Sequence, residues 1–343
     1  MTALKAMVSV CVVTGLLVGT AFAVNIETVP VGNPGSAADI RYRLDQRPEG
    51  FGRVDYTYNI GKYEVTAAQY TAFLNAVAVT DPYGLYNTNM WTSTHGCKIQ
   101  RSGTPGNYTY SVASDYADRP VNLVSWGDSA RFANWLHNGQ PTGAQGSGTT
   151  ETGAYALNGA LTNTDLQAVS RNADWKWAIP SEDEWYKAAY HKNDGVTGNY
   201  WDYPTGSDTI PSHTVLNPDP GNNANFFEYE SGYPVYSIGS PYWRTQVGEF
   251  ENSGSPYGTF DQGGNVDEWN EAVLSDSLRG VRGGAYTGRH FDLHPLNRFW
   301  SYQSTQEFTS IGFRVVAVPE PAVMALLAFG GIGMLIRRRR LEK

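Results

Sequence analysis

Apolar positions follow three different patterns along this chain. At the N-terminus Lys5 is followed by an apolar run from Ala6 to Val18, broken only by Ser9 and Thr14 among polar side chains, and then by Gly19 to Ala23, ending Ala21-Phe22-Ala23. A basic residue, an apolar stretch and small residues in that order predict a secretory signal peptide over residues 1–23, with the mature chain starting near Val24. At the other end, Val318-Pro319-Glu320-Pro321 precedes an apolar run from Ala322 to Ile336 and then Arg337 to Arg340. As a helix this run spans roughly 22 Å against a hydrocarbon core of ~30 Å, so residues 318–343 predict a marginal, transient membrane anchor. The arginines belong on the cytoplasmic side, which leaves the preceding body outside.

Between these ends, residues 24–317 show no linker and predict one domain. Three stretches have helical periodicity. Thr66-Ala-Ala-Gln69 is a capping box ahead of Tyr70, Phe73, Leu74 and Val77. Ser125-Trp-Gly-Asp128 opens a second helix with Ala130, Ala133 and Leu136 on one face, stopped by Gly139; Asp128 is a weaker third-position partner than Glu or Gln. Ser181-Glu-Asp-Glu184 opens a third, with Trp185, Ala188 and Ala189 turned inward and Gly195 as its stop. Residues 138–172 and 195–255 are rich in Gly, Asn, Thr, Pro and Tyr; the first predicts a long surface excursion. Residues 279–286 and 311–316 predict two short strands near the domain's end. Helices mixed with short strands and much irregular chain indicate an α+β fold.

Charge narrows the function. Setting aside Lys5, Arg337 to Arg340 and Lys343 from 25 basic residues, and Glu320 and Glu342 from 33 acidic ones, leaves a body near −12. That disfavours nucleic acid and anionic lipid as partners and suits cations. Cys11 lies in the signal peptide, so the body keeps only Cys97; an internal disulfide and two-thiol chemistry are both excluded, and Cys97 is expected to be an ordinary half-buried residue. No Gly-x-Ser-x-Gly elbow, His-Glu-x-x-His or phosphate-binding glycine loop is present. The carboxylates of Ser181-Glu-Asp-Glu184 and Asp128 are accounted for by helix starts, not general acid chemistry.

Six motifs occur in a telling order: Tyr63-Glu-Val-Thr66, Arg119-Pro-Val-Asn122 with Val124-Ser-Trp126, Ile179-Pro-Ser-Glu182 with Glu184-Trp185, Gly264-Asn-Val-Asp-Glu-Trp269, Arg282-Gly-Gly-Ala-Tyr286 and Gly312-Phe-Arg314. Together they resemble the formylglycine-generating enzyme family, or sulfatase-modifying-factor domain, over roughly residues 56–317. The resemblance implies a C-type lectin-like α+β domain with little regular secondary structure. It also implies two copper-binding cysteines, but those positions are Gly288 and Leu293 here, so no copper and no formylglycine chemistry are expected. Ala285 replaces the family's serine, and Asp267 its tryptophan. The altered segment contains His290-Phe-Asp-Leu-His294, but Gly288 before it and Pro295 after it make a helix doubtful, and an exposed polar loop is expected there.

The same resemblance implies structural calcium, with side-chain oxygens from Asp261 and Glu268 and carbonyls from Gly264 and Val266. A second site would use Asn225 and the carbonyl of Phe226. Hard oxygen donors at a glycine-containing turn suit Ca²⁺; a metal-free turn is the alternative. Pro-Glu-Pro, an apolar stretch and terminal arginines resemble the PEP-CTERM sorting signal of Gram-negative bacteria. That implies an exosortase-type sorting enzyme, removal of the tail, and a place at the cell surface or in an exopolysaccharide matrix. The expected function is therefore a non-catalytic exported domain binding a polymer or surface protein through aromatic loops, with Trp91, Trp201, Tyr203, Tyr242 and Trp243 as candidates. A divergent oxidoreductase on another metal site and a purely structural envelope component are the alternatives.

Overall fold

The computed structural model describes residues 23–42, 47–275, 278–298 and 301–319. The predicted signal peptide lies outside the described residues except Ala23, as does the predicted tail except Val318 and Pro319. In chain order the elements are β1 (Thr28–Val31), β2 (Tyr58–Gly61), α1 (Ala67–Val77), α2 (Asn89–Thr92), β3 (Ile99–Ser102), β4 (Thr109–Val112), α3 (Trp126–His137), α4 (Asn163–Ala168), β5 (Trp177–Ala178), α5 (Glu182–Tyr190), β6 (Phe227–Glu230), β7 (Tyr233–Tyr236), β8 (Asp267–Ser275), β9 (Leu278–Arg282), β10 (Ser301–Tyr302), β11 (Ile311–Gly312) and β12 (Val316–Ala317). This is an α+β fold of few helices and small sheets. One sheet runs β1-β2-β12-β5, another β10-β9-β8-β11; β3–β4 and β6–β7 are separate hairpins.

The three predicted helices form where their caps begin them. Thr66, Ser125 and Ser181 each accept from the backbone N–H three residues on, and Gln69, Asp128 and Glu184 each return a bond to the cap. Asp128 is thus a full capping partner, because its short carboxylate reaches both the N–H and the hydroxyl of Ser125, at 2.9 and 2.7 Å. The inward faces are buried as the periodicity predicts, and Tyr70, Phe73, Phe132 and Phe313 pack ring against ring between α1, α3 and the segment joining β11 to β12. α5 stops at Tyr190, five residues before Gly195, because the backbone at His191 turns extended and bridges to Tyr200.

Two expectations fail on tertiary grounds. The stretch 138–172 is no surface excursion: Thr150, Glu151, Ala154, Tyr155 and Leu157 are buried, and Glu151 pairs with buried Arg131 at 2.7 Å. The strand expected over 311–316 is split. Ile311 and Gly312 run parallel to β8, and Val316 and Ala317 lie between β2 and β5. Phe313, Arg314 and Val315 cross between the two sheets and are fully buried. That crossing carries Arg314 into the middle of the molecule.

Candidate functional site

β9 runs from Leu278 to Arg282 and feeds Gly283, Gly284, Ala285 and Tyr286, so the segment that resembles a catalytic loop starts from the center of a sheet. A Cβ at Gly288 would lie 2.9 Å from Asp292 Oδ2 and 3.2 Å from the Ala285 carbonyl, so the carboxylate of Asp292 occupies the room a side chain at 288 needs. Leu293 is fully buried and packs with Tyr203, Ala224 and Phe226. Asp267 is buried near Asp292. Burial and the Asp292 charge push its carboxyl up to about 8, so it is protonated at neutral pH. Residues 290–293 form one 3-10 turn, tighter than the loop expected. His290 and Arg289 both bond Glu228, whereas His294 sits edge-on to Tyr42 and Tyr203. The two histidines have different neighbors and do not share a site.

The predicted calcium turn has a different electrostatic makeup from the expected one. Gly264 has a left-handed backbone at φ +84°, and a Cβ there would lie 2.2 Å from the Asn225 carbonyl. Only glycine fits this crossing of two segments of the chain. Glu268 is fully buried, but its oxygens accept from both Arg314 Nε and Nη2 at 2.6 Å and from Trp185 Nε1 at 2.7 Å. It is therefore a committed ion-pair partner, not the free ligand the motif implies. Sequence reasoning missed Glu64, which is buried with both carboxylate oxygens lacking any hydrogen-bond partner. Burial, then the charges of Asp261 and Glu268, push Glu64 well up; Asp261 is pushed up to about 6 mainly by burial, against the Gly248 N–H that it accepts at 2.6 Å. Three carboxyl groups thus face one guanidinium, Arg314.

Asn225 donates to the Trp243 carbonyl and to Asn265 Oδ1, while its own Oδ1 has no partner. The Phe226 carbonyl accepts from both the N–H and the hydroxyl of Ser237, so it is not a spare ligand. Asn225 bridges to Gly264 at this crossing, and Phe226 follows it in the chain. Among the described residues no three His, Cys, Asp or Glu side chains form a metal-binding group.

The aromatic candidates divide by burial. Trp91 is exposed and Tyr203 is core; Lys192 Nζ lies 3.6 Å from the Trp201 ring center and Arg119 3.9 Å from that of Tyr242, leaving both partly covered. The larger aromatic surface is one that sequence reasoning missed. On the β6–β7 hairpin Tyr229 and Tyr233 are 55% and 75% exposed, and Phe291, which shares the Arg289 guanidinium with Tyr229, is 49% exposed. Ring contacts of 5.5, 5.4, 5.1 and 4.8 Å link Tyr229, Phe227, Tyr236, Trp243 and His95 in series. Alternating aromatics in residues 227–236 were the available signal. The cavities beside α4, of 460, 510 and 250 Å³, are lined by none of the predicted site residues.

The sulfatase-modifying factor enzyme 1-like domain family matches residues 26–318, and the PEP-CTERM protein-sorting motif matches residues 317–340. The latter is the mark of export and of sorting to the cell envelope by an exosortase-type system. No curated protein matches the chain significantly. Among solved structures, CarF is 19% identical at a TM-score of 0.45, over 86% of this chain and 99% of its own. PvdO from Pseudomonas aeruginosa is 18% identical at 0.47, over 85% and 94%. Treponema denticola variable protein 1 is 17% identical at 0.46, over 85% and 95%.

Proposed function

Since this chain belongs to the sulfatase-modifying factor enzyme 1-like domain family, we propose that it is a non-catalytic member, exported to the cell surface or exopolysaccharide matrix, that binds a polysaccharide through its aromatic hairpin. The observation that carries the non-catalytic reading is the packing at the two cysteine positions. Asp292 fills the space beside Gly288, and Leu293 belongs to an apolar cluster, so neither thiolate nor room for one is present. A soft Cu(I) site needs such ligands. The series Tyr229, Phe227, Tyr236, Trp243, His95 provides ring faces flanked by polar groups, the surface on which sugar rings stack.

The test is isothermal titration of the exported protein with exopolysaccharide fragments, alongside oxygen uptake on a cysteine-containing sulfatase peptide. Tyr233→Ala and Tyr229→Ala, both exposed, are expected to weaken binding by about tenfold each, or about 1.4 kcal/mol. Unchanged affinity in both variants, or peptide-dependent oxygen uptake, refutes the proposal.

Calcium belongs to the same reading. Were Glu64, Asp261 and Glu268 all ionized against Arg314, the cluster would carry an excess of two negative charges; burial alone resists this by raising Glu64 and Asp261, and one divalent cation would neutralize it. Asp261, Glu64 and the carbonyls of Gly264 and Val266 are the oxygen donors that would hold it, with Glu268 retained by Arg314. Elemental analysis after dialysis is expected to find one calcium per chain, lost in Glu64→Gln. Copper or iron in its place, or no metal at all, overturns this assignment.

A further inference from the structure

Arg244 is fully buried, yet among the described residues no carboxylate lies within ion-pair distance of it. Its Nη1 donates to the His95 carbonyl at 2.7 Å, while Nε and Nη2, the two donors of the side-on fork, have no partner. Next to it is a second buried arginine without an acid: Arg119 donates to the carbonyls of Asp115 and of Arg244 itself. A guanidinium does not shed its proton in a protein, so these two charges persist on burial. The thiol of Cys97 close by is fully buried, and burial pushes it up, so it stays neutral and supplies no counter-charge. Two unpaired buried cations in a body whose net charge is strongly negative call for an anion.

The surroundings specify which kind. Trp243 Nε1 is a further buried donor without a partner, and Trp243 holds a left-handed backbone at φ +62°, costly for a bulky residue and found where the surroundings impose it. Asn122 donates to the same His95 carbonyl as Arg244, and its Oδ1 is a buried acceptor without a partner. Two parallel N–H donors match the two oxygens of a carboxylate, and an adjacent orphaned acceptor matches a hydroxyl. The rings of His95 and Trp243, both partly exposed, pack 4.8 Å apart beside this group of orphaned donors.

We propose that Arg244, Trp243 and Asn122 form a binding site for a carboxylate that carries a neighboring hydroxyl, as hydroxy acids and uronic acids do. The site stands on these orphaned groups and does not require the polysaccharide reading.

The experiment is a thermal-unfolding titration of the whole exported protein with sodium acetate, glycolate, glucuronate and chloride at constant ionic strength. Acetate is expected to raise Tm along a saturating curve, glycolate to saturate at lower concentration, and chloride to give no saturating rise. Arg244→Met is expected to abolish all three carboxylate responses while being no less stable than the wild type in chloride. If that variant does not fold, saturation-transfer NMR on the wild type reads bound acetate directly, and Arg244→Lys is expected to weaken it at least several-fold. Glucuronate binding more tightly than glycolate identifies a uronic acid as the source, and the reverse a small free acid. Identical curves for wild type and Arg244→Met, a chloride response equal to acetate, or no transfer to acetate overturns the proposal; glycolate no tighter than acetate removes Asn122 from it.

Discussion

Glu182, the first residue of α5, holds three arginines, and its replacement by Gln gives a stability change whose size and pH dependence follow from the structure. Its carboxylate is 4% exposed and accepts from Arg282 Nε at 2.9 Å, from Arg298 Nε and Nη2 at 2.8 Å each, and from Arg47 Nη1 at 2.8 Å. Burial alone would raise its pKa, but the charges of Arg282, Arg298 and Arg47 outweigh that and hold it down at about 2. Set against an ordinary glutamate near 4.5, that difference is about 3 kcal/mol in favor of the ionized form. Because the folded pKa is the lower, this stability is fully present above pH 4.5 and is lost as pH falls through about 2. Glu182→Gln removes the charge but keeps the shape, and it leaves Arg282 and Arg298 buried or partly buried without an acid. Urea unfolding at pH 7 is expected to show the variant about 3 kcal/mol less stable, with the gap narrowing at pH 3. A gap that is equal at both pH values, or below about 1 kcal/mol at pH 7, would refute the reasoning.

Other perturbations separate charge from backbone effects. Burial and the neighboring Asp128 charge push Glu307 up to about 9, so the folded protein keeps a proton that the unfolded chain gives up above about 4.5, and stability falls as pH rises between those values. Glu307→Gln cannot ionize, so its Tm is expected to overtake the wild type's progressively from pH 5 to pH 8; a constant difference sinks this reading. Gly264→Ala meets both a left-handed backbone and a carbonyl 2.2 Å away, and is expected to cost roughly 3 kcal/mol or more in chemical unfolding. A loss under about 1 kcal/mol would mean the crossing with Asn225 is looser than described.

The legible parts of this molecule are the local ones. Thr66, Ser125 and Ser181 were readable as helix starts because a capping box joins residues three apart, and the helical stripes behind them needed no partner to be recognized. The lone Cys97 between residues 24 and 317 was likewise legible, since a cysteine count is a fact of composition. The calcium motif was legible as a string, but the state of its members was not: nothing local says that Glu268 is taken by Arg314, 46 residues on, and by Trp185, 83 residues back. Glu64 looked like one residue of a short motif, and its orphaned carboxylate became visible only when the chain had brought Asp261 and Glu268 beside it.

By itself the sequence determined the C-terminal sorting motif, the α+β class, three capped helices, the family and the single cysteine, Cys97, between residues 24 and 317. Each rests on adjacent residues or on composition, where the energetics are local. Tertiary structure alone decided which charges are paired and which are stranded: Glu182 with arginines 135, 100 and 116 residues away, Glu151 with Arg131 in a stretch that looked like surface, and Arg244 with no acid among the described residues. Apolar periodicity has a fixed spacing in the chain, whereas the cost of a buried charge depends on what the fold places within a few ångströms of it. For that reason the scaffold could be read from the string of residues, while the groups that select a ligand could not.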